Sequence, residues 1–246
     1  MHSTHDTANV SWSVTGFAVS LILLLAAVSL VSAQDVPVLK VGYIFTTHHT
    51  PLMVAAAKGD EFKAAGVYMH PLISKEKYEL IVDGRNVAIL DLVANKSGAE
   101  TATLFAQKHI DLAMASVTAI MAGIDKGTPV KILGPLQTGG MALVMPKDSS
   151  IGGWNDLLSF IKESKQPVKI GYHSPTSAPK IVLESALKEA GLKVTGDPND
   201  LSPNVLLVDL KDTTNMIPAL NSKQVEGIVG PSPFPEVAVT KGVGRM

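Results

Sequence analysis

Histidines and hydroxyls gather in a few short stretches of this 246-residue sequence, and two of those stretches are alike. Lys40–Pro51 reads KVGYIFTTHHTP and Lys169–Pro179 reads KIGYHSPTSAP. Each begins Lys-(Val/Ile)-Gly-Tyr, runs into a polar loop and reaches a proline near the next helical run. The first loop carries Thr46, Thr47, His48 and His49; the second carries His173, Ser174, Thr176 and Ser177. Such side chains supply neutral donors and acceptors, which suits a small polar or anionic group held by hydrogen bonds rather than ion pairs. Adjacent residues of an extended segment point to opposite faces, so one of His48 and His49 is expected to reach a shared site. Two neighbouring histidines without further ligands make a poor zinc site. His173 has two readings, a solvated loop residue or a ligand contact.

Further polar loops occur at Lys96–Glu100, Ser116–Thr118 and Asp212–Thr214. None of the five holds an arginine, so no bidentate clamp on a carboxylate is expected there. Ser97, Ser116 and Thr50 equally suit helix capping, and Ser97 with Glu100 has the spacing of a capping box. Trp154 reads as core. Asn95-Lys96-Ser97 matches a glycosylation sequon. The motifs of serine hydrolases, HExxH metalloproteases, P-loop enzymes and dinucleotide-binding folds are missing. With no cysteine, disulfides, thiolate metal sites and cysteine nucleophiles are excluded. A formal net charge of -1 without a basic block leaves no footprint for nucleic acid.

The elements that would position these loops alternate. Strands are expected at Leu39–Phe45, Val67–Ile73, Val87–Val93, His109–Ala115, Val130–Leu133, Met141–Met145, Val168–Tyr172, Val205–Leu210 and Gln224–Val229. Helices are expected at Pro51–Ala65, from Ser97 to Gln107, after Ser116, at Trp154–Ser164, at Pro179–Ala190, up to Ser222 and from Glu236. This alternation predicts α/β lobes with mostly parallel sheets. A second echo supports duplication of architecture: Lys108-His109-Ile110-Asp111 and Lys223-Gln224-Val225-Glu226 each lead a strand. The charged Ser74–Arg85 segment is the expected insertion in the first lobe, and the lobes are expected to meet near Gly140 and Met141.

Between Asp6 and Asp35 there is no charged residue, and Phe17–Val31 is apolar apart from serines. Val31-Ser32-Ala33 supplies the small residues that a signal peptidase reads, so 1–33 is expected to be a cleaved secretory signal or an N-terminal membrane anchor. Either places 34–140 (first lobe) and 141–246 (second lobe) outside the cytoplasm.

Taken block by block, the sequence resembles the solute-binding proteins of ABC importers of the nitrate/sulfonate/taurine group, related to the thiamine-pyrimidine-precursor binding proteins. KVGYIFTTHHTPLMVAAAKGDEFKAAGV resembles that group's first strand, binding loop and helix. KSGAETATLFAQKHIDLAMASVTAIMAGIDKGTPVKIL, GMALVMPKDSSIGGWNDL, KIGYHSPTSAPKIVLESALKEAGL and NSKQVEGIVGPSPFPEVAVTKGVGR resemble later blocks in order. The resemblance implies a two-lobed, type II periplasmic-binding-protein-like fold closing by a hinge, no catalysis and no cofactor. It implies a small-molecule solute, a permease with its ATPase, and a monomer. The implied contacts are Thr46, Thr47, His48 or His49, Ser97, Gly98, Ser116, Thr118 and Thr138, then His173, Ser174, Thr176, Ser177 and Thr213. Pro231–Pro235 matches a stretch near the cleft. In that group a segment beyond VTKGVGRM returns to the first lobe, so this lobe is expected to lack its C-terminal return. A sulfonate, an oxyanion and a neutral heterocycle all remain open as solute. Rival readings are an enzyme on the same fold, akin to pyrimidine-precursor synthases, and a membrane-anchored sensor. The former depends on a cysteine-rich motif that this chain lacks.

Overall fold

The computed structural model describes residues 35–246, so the expected signal or anchor segment lies outside the described residues. Two sheets organise the chain. The first has the strand order β2 (Val67–Ile73), β3 (Lys77–Val82), β4 (Arg85–Asn95), β1 (Val38–Ile44), β5 (Leu112–Ala113), and the second β11 (Gly244–Arg245), β6 (Met141–Pro146), β10 (Gly227–Pro231), β7 (Val168–Tyr172), β9 (Val205–Asp209), β8 (Val194–Thr195).

In the first sheet, β1 (Val38–Ile44) runs parallel to β4 (Arg85–Asn95) along its whole length and to the short β5 (Leu112–Ala113). β2 (Val67–Ile73) and β3 (Lys77–Val82) are antiparallel additions. The Ser74–Arg85 segment, the expected insertion, supplies β3 and the turns on either side of it. Asp83 and Gly84 both have positive φ (48° and 75°), the conformation of a tight hairpin turn. Tyr78 is buried in the meander and its hydroxyl accepts the Lys75 N–H at 2.8 Å, tying the other turn. Among the described residues, four antiparallel strand pairs stand beside five parallel ones, a more mixed arrangement than the mostly parallel sheets expected.

The helix after β1 is shorter than its expected span. α1 (Thr50–Lys58) gives way to a 3-10 segment at Gly59–Ala65. Gly59 lies against β2, where a Cβ would fall 1.8 Å from the Met69 carbonyl oxygen, so the helix reshapes there. Thr50 does not cap this helix with its side chain. A 3-10 turn at Thr47–His49 precedes it, and Thr50 is its first residue. α2 (Gly98–Ala106) does begin with Ser97 as its cap; the Ser97 hydroxyl accepts the Glu100 N–H at 3.2 Å, while the Glu100 carboxylate accepts the Lys96 N–H at 2.7 Å. α3 (Val117–Asp125) packs on α2 so closely that a Cβ on Gly98 would lie 2.6 Å from that of Ala119.

The second sheet comprises β6 (Met141–Pro146), β7 (Val168–Tyr172), β8 (Val194–Thr195), β9 (Val205–Asp209), β10 (Gly227–Pro231) and β11 (Gly244–Arg245). β7 is central and runs as an apolar strand covered on both faces, as parallel strands require. On one side, Leu157 and Ile161 of α4 (Trp154–Glu163) and Leu183 and Leu187 of α5 (Ala178–Glu189) pack on Ile170, Val205 and Leu207. On the other, Met216, Ala219 and Leu220 of α6 (Met216–Asn221) and Ala238 of α7 (Phe234–Thr240) pack on Val144 and Ile228. Full burial of each such aliphatic side chain contributes ~1.5–3 kcal/mol, which fixes the platform from which the polar loops project.

Three other expectations change. Val130–Leu133 forms no strand: the Val130 N–H turns back to the Thr128 carbonyl at 2.9 Å, and among the described residues 131–138 make no backbone–backbone hydrogen bond. Without a neighbouring strand an apolar run cannot extend a sheet, and Leu133 is left 84% exposed. Trp154 is 40% exposed at the start of α4 rather than in the core. Asn95 of the sequon is buried, its side-chain oxygen accepting the Thr101 hydroxyl at 3.1 Å, so the folded chain does not present it for glycosylation.

Candidate functional site

Both echo loops leave the C-terminal ends of parallel strands, β1 and β7, and enter the helices α1 and α5. That is where α/β sheets place ligands. Between them lies a cavity of about 1360 Å³. Its polar lining includes Thr46, His48, His49, Ser97, Gly98, Ser116 and Thr138 from the first lobe, and His173, Ser174, Thr176, Ser177 and Thr213 from the second. Pro231 is the member of the Pro231–Pro235 stretch that reaches it.

Thr47 and Thr118 do not line the cavity; both join the lobes. The Thr118 hydroxyl donates to the Thr176 carbonyl at 2.7 Å, and Ser116 and Thr118 share a 2.8 Å hydroxyl–hydroxyl bond. Because Thr118 spends its only O–H on Thr176, Ser116 is the donor between them. The Thr47 N–H and hydroxyl both point to the Ser232 carbonyl, at 3.2 and 3.3 Å. Ser232 in turn donates its N–H to Gly140 at 2.9 Å.

The two adjacent histidines have different tasks, although both line the cavity. The His48 Nε2–H donates to the Gly139 carbonyl at 2.7 Å, because a carbonyl can only accept. This fastens the first loop to the crossing segment between the lobes. Gly139 and Gly140 sit there with φ of 74° and 69°, and a Cβ on Gly140 would strike the His48 ring. His49 is buried and its Nδ1 accepts the Ile44 N–H at 2.8 Å. The proton of the neutral ring therefore sits on Nε2, which makes His49 a donor. Burial, reinforced by the neighbouring His48, pushes the His49 pKa down to about 4.

His173 is the counterpart in the second lobe. Burial pushes it down to about 4 as well, against the opposing pull of the Asp212 and Asp209 carboxylates. Its Nδ1 is buried without a hydrogen-bond partner, as are the hydroxyl oxygens of Thr176 and Ser177. Ser177 stands at the N-cap of α5 but makes no side-chain cap bond. A buried polar group left unpaired costs free energy, so three in one loop mark a place prepared for an outside partner.

Sequence reasoning missed the apolar first-lobe wall, formed by residues such as Ile110, Met114, Ile120 and Ile132. Each looks like ordinary core in sequence, and no pattern of residue types separates a cavity wall from a filled interior.

A family model described as the NMT1-like family matches residues 32–246. The chain belongs to the NMT1-like family. An uncharacterized protein of Methanocaldococcus jannaschii is 32% identical to this NMT1-like chain over 116 residues, 46% of this chain and 80% of that one. Among solved structures, the chain is similar to a ligand-binding component of an ABC-type import system from Staphylococcus aureus with zinc bound: TM-score 0.59, 18% identity, 85% of this chain and 59% of that one. It is similar to the periplasmic nitrate-binding protein of Synechocystis PCC 6803 with TM-score 0.59 and 19% identity, over 85% of this chain and 50% of that one. The alkanesulfonate-binding protein of Xanthomonas axonopodis pv. citri bound to MOPS follows with TM-score 0.57 and 15% identity, over 87% of this chain and 61% of that one. At these identities the likeness is one of fold, the two-lobed fold of periplasmic binding proteins. The NMT1-like chain spans between half and two thirds of the length of these solved proteins.

Proposed function

We propose that this NMT1-like protein is the solute-binding component of an ABC importer. It takes a small organic solute between its lobes outside the cytoplasm and presents it to a permease driven by an ATPase. The observation that carries this reading is the interlobe cavity in which His173, Thr176 and Ser177 keep buried polar atoms without partners. The fold shared with nitrate- and sulfonate-binding proteins supports it. The side chains that gather in the cavity serve recognition rather than catalysis. His49 and His173 are both held neutral; His49 offers a donor at Nε2, and His173 keeps an unpartnered Nδ1 that donates or accepts according to tautomer.

A thermal-shift screen of sulfonates, oxyanions and neutral heterocycles tests this function. Binding to the folded state raises the melting temperature by mass action, by RT ln(1 + [L]/Kd) in free energy. A shift with at least one class is expected. No shift with any class, from a sample that melts cooperatively, would overturn the proposal. Flanking reading frames encoding a permease and an ATPase separate import from sensing.

A further inference from the structure

The solute-binding reading leaves open what kind of head group enters the second lobe. Binding proteins of this architecture have helix N-termini at the cleft, and such termini ordinarily favour anions. In this chain two of those positions carry a carboxylate of the protein's own close by. Glu100 takes the Lys96 N–H at 2.7 Å at the start of α2. Asp212 takes the Thr214 N–H at 2.8 Å and the Thr214 hydroxyl at 2.9 Å, at the start of the Thr213–Asn215 turn. The terminus of α5 is depleted in another way. Pro179 in its first turn has no N–H, and the Ser177 N–H is turned back to the Ser174 carbonyl at 3.1 Å.

The charges around the unpartnered cluster point the same way. Asp212 and Asp209 are the carboxylates that act on His173. The lysines of the lining, Lys96, Lys108 and Lys131, all come from the first lobe. Against the opposing effect of burial, the Thr214 N–H and hydroxyl, with a smaller contribution from the Lys96 charge, hold the Asp212 carboxyl below its ordinary value, so it stays ionised. An anion placed at His173 would stand on the lobe that carries Asp212, with Asp209 paired to Lys211 at 2.7 Å, while the lysines of the lining belong to the first lobe. What the cluster offers is neutral and two-sided: each hydroxyl of Thr176 and Ser177 can donate and accept, and the His173 Nδ1 does one or the other according to tautomer. Beyond it, the cavity continues along apolar Ile110, Met114, Ile120 and Ile132, and its volume of about 1360 Å³ far exceeds what an inorganic oxyanion fills.

We infer that the recognised end of the solute is uncharged, a head group that both donates and accepts hydrogen bonds at His173, Thr176 and Ser177, carried on an apolar body lying along the first-lobe wall. Carboxamides and sulfonamides have this chemistry; their acid partners have the same shape and one negative charge. Matched pairs therefore isolate the charge. The full chain is screened by thermal shift and titration calorimetry against hexanamide and hexanoate, benzamide and benzoate, and benzenesulfonamide and benzenesulfonate. The neutral member of each binding pair is expected to bind at least tenfold more tightly. Equal or tighter binding of the acid member overturns the inference and leaves the solute-binding reading standing. Silence of all six probes together with an oxyanion hit in the broader screen overturns it as well. Silence in both screens removes the binding reading and the inference with it. A second measurement uses Asp212→Asn, which keeps an acceptor oxygen for Thr214 while removing the charge. The preference for the neutral member is expected to narrow at least threefold; an unchanged preference overturns the electrostatic basis.

Discussion

The backbone N–H of Lys169 donates to the Glu226 carboxylate at 2.7 Å, and the Glu226 N–H returns a bond to the Lys169 carbonyl at 2.8 Å. In the other lobe the Lys40 N–H donates to the Asp111 carboxylate at 2.8 Å and the Asp111 N–H to the Lys40 carbonyl at 2.9 Å. The two sequence echoes thus close the same ring in each lobe, joining the head of the central strand to the turn that leads the next one in. A hydrogen bond to a charged acceptor at a surface site contributes on the order of 1 kcal/mol. Glu226→Ala should lower stability in urea by about that amount. Glu226→Gln, which keeps an acceptor, should lose less than half as much. Equal losses for both variants would contradict the hydrogen-bond account.

A second shared device lies just before each ring. Lys108 and Lys223 have φ of 57° and 58° and occupy the left-handed position that ends α2 and α6. The Lys108 and His109 N–H groups bond to the Phe105 and Leu104 carbonyls, and those of Lys223 and Gln224 bond to Leu220 and Ala219. Glycine is the residue that adopts this conformation without penalty, as Gly191 does after α5. Lys223→Gly and Lys108→Gly should each stabilise the protein by roughly 0.5–1 kcal/mol, read as a rise in melting temperature. A fall in both would mean that the lysine side chains are stabilising where they stand.

Acid should weaken the fold through the two buried histidines. Each has a folded pKa of about 4, below the 6.5 of the unfolded chain, so the unfolded state binds more protons between those values. Stability is fully present above pH 6.5 and is lost as pH falls toward 4. Melting temperature recorded across that range should drop. In the His49→Gln, His173→Gln double variant the slope should flatten, whatever happens to the absolute value. A slope identical to the parent's would assign the acid sensitivity to other groups.

Thr118 clasps the lobes instead of lining the cavity, so its loss should act on closure. Thr118→Val keeps the shape and removes the donor to the Thr176 carbonyl. The ligand-free radius of gyration in small-angle X-ray scattering should increase, and solute dissociation should quicken severalfold. Thr118→Ser should restore both. An unchanged radius in the valine variant would show that the clasp carries no weight in the closed form.

How much of this was legible beforehand depended on the range of the interaction concerned. Val168–Tyr172 was placed residue for residue, because a short apolar run between polar loops has one good solution in a parallel sheet. The capping of α2 was legible because Ser97 and Glu100 are three residues apart. Val130–Leu133 was misjudged for the opposite reason: its β propensity is real, but a strand exists only beside another, and among the described residues none lies beside it. The split between His48 and His49 was invisible too. The partners that give them separate tasks, the Gly139 carbonyl and the Ile44 N–H, are backbone groups brought together by folding. Thr47 and Thr118 have the same residue type as Thr46 and Thr176, and only the approach of the lobes decides which hydroxyls meet backbone and which stay open.

Among the described residues, the chain passes from the first sheet to the second once, through the segment ending in Gly139 and Gly140. A single strand of backbone resists stretching but turns freely about its own axis, and two successive glycines make that turning easier. Within the described residues, this one connection leaves twisting as well as opening available to the lobes. Against that freedom stand two bonds between the lobes and away from the crossing segment, Thr47 to Ser232 and Thr118 to Thr176, which act like the pins that keep a swivel to a single sweep.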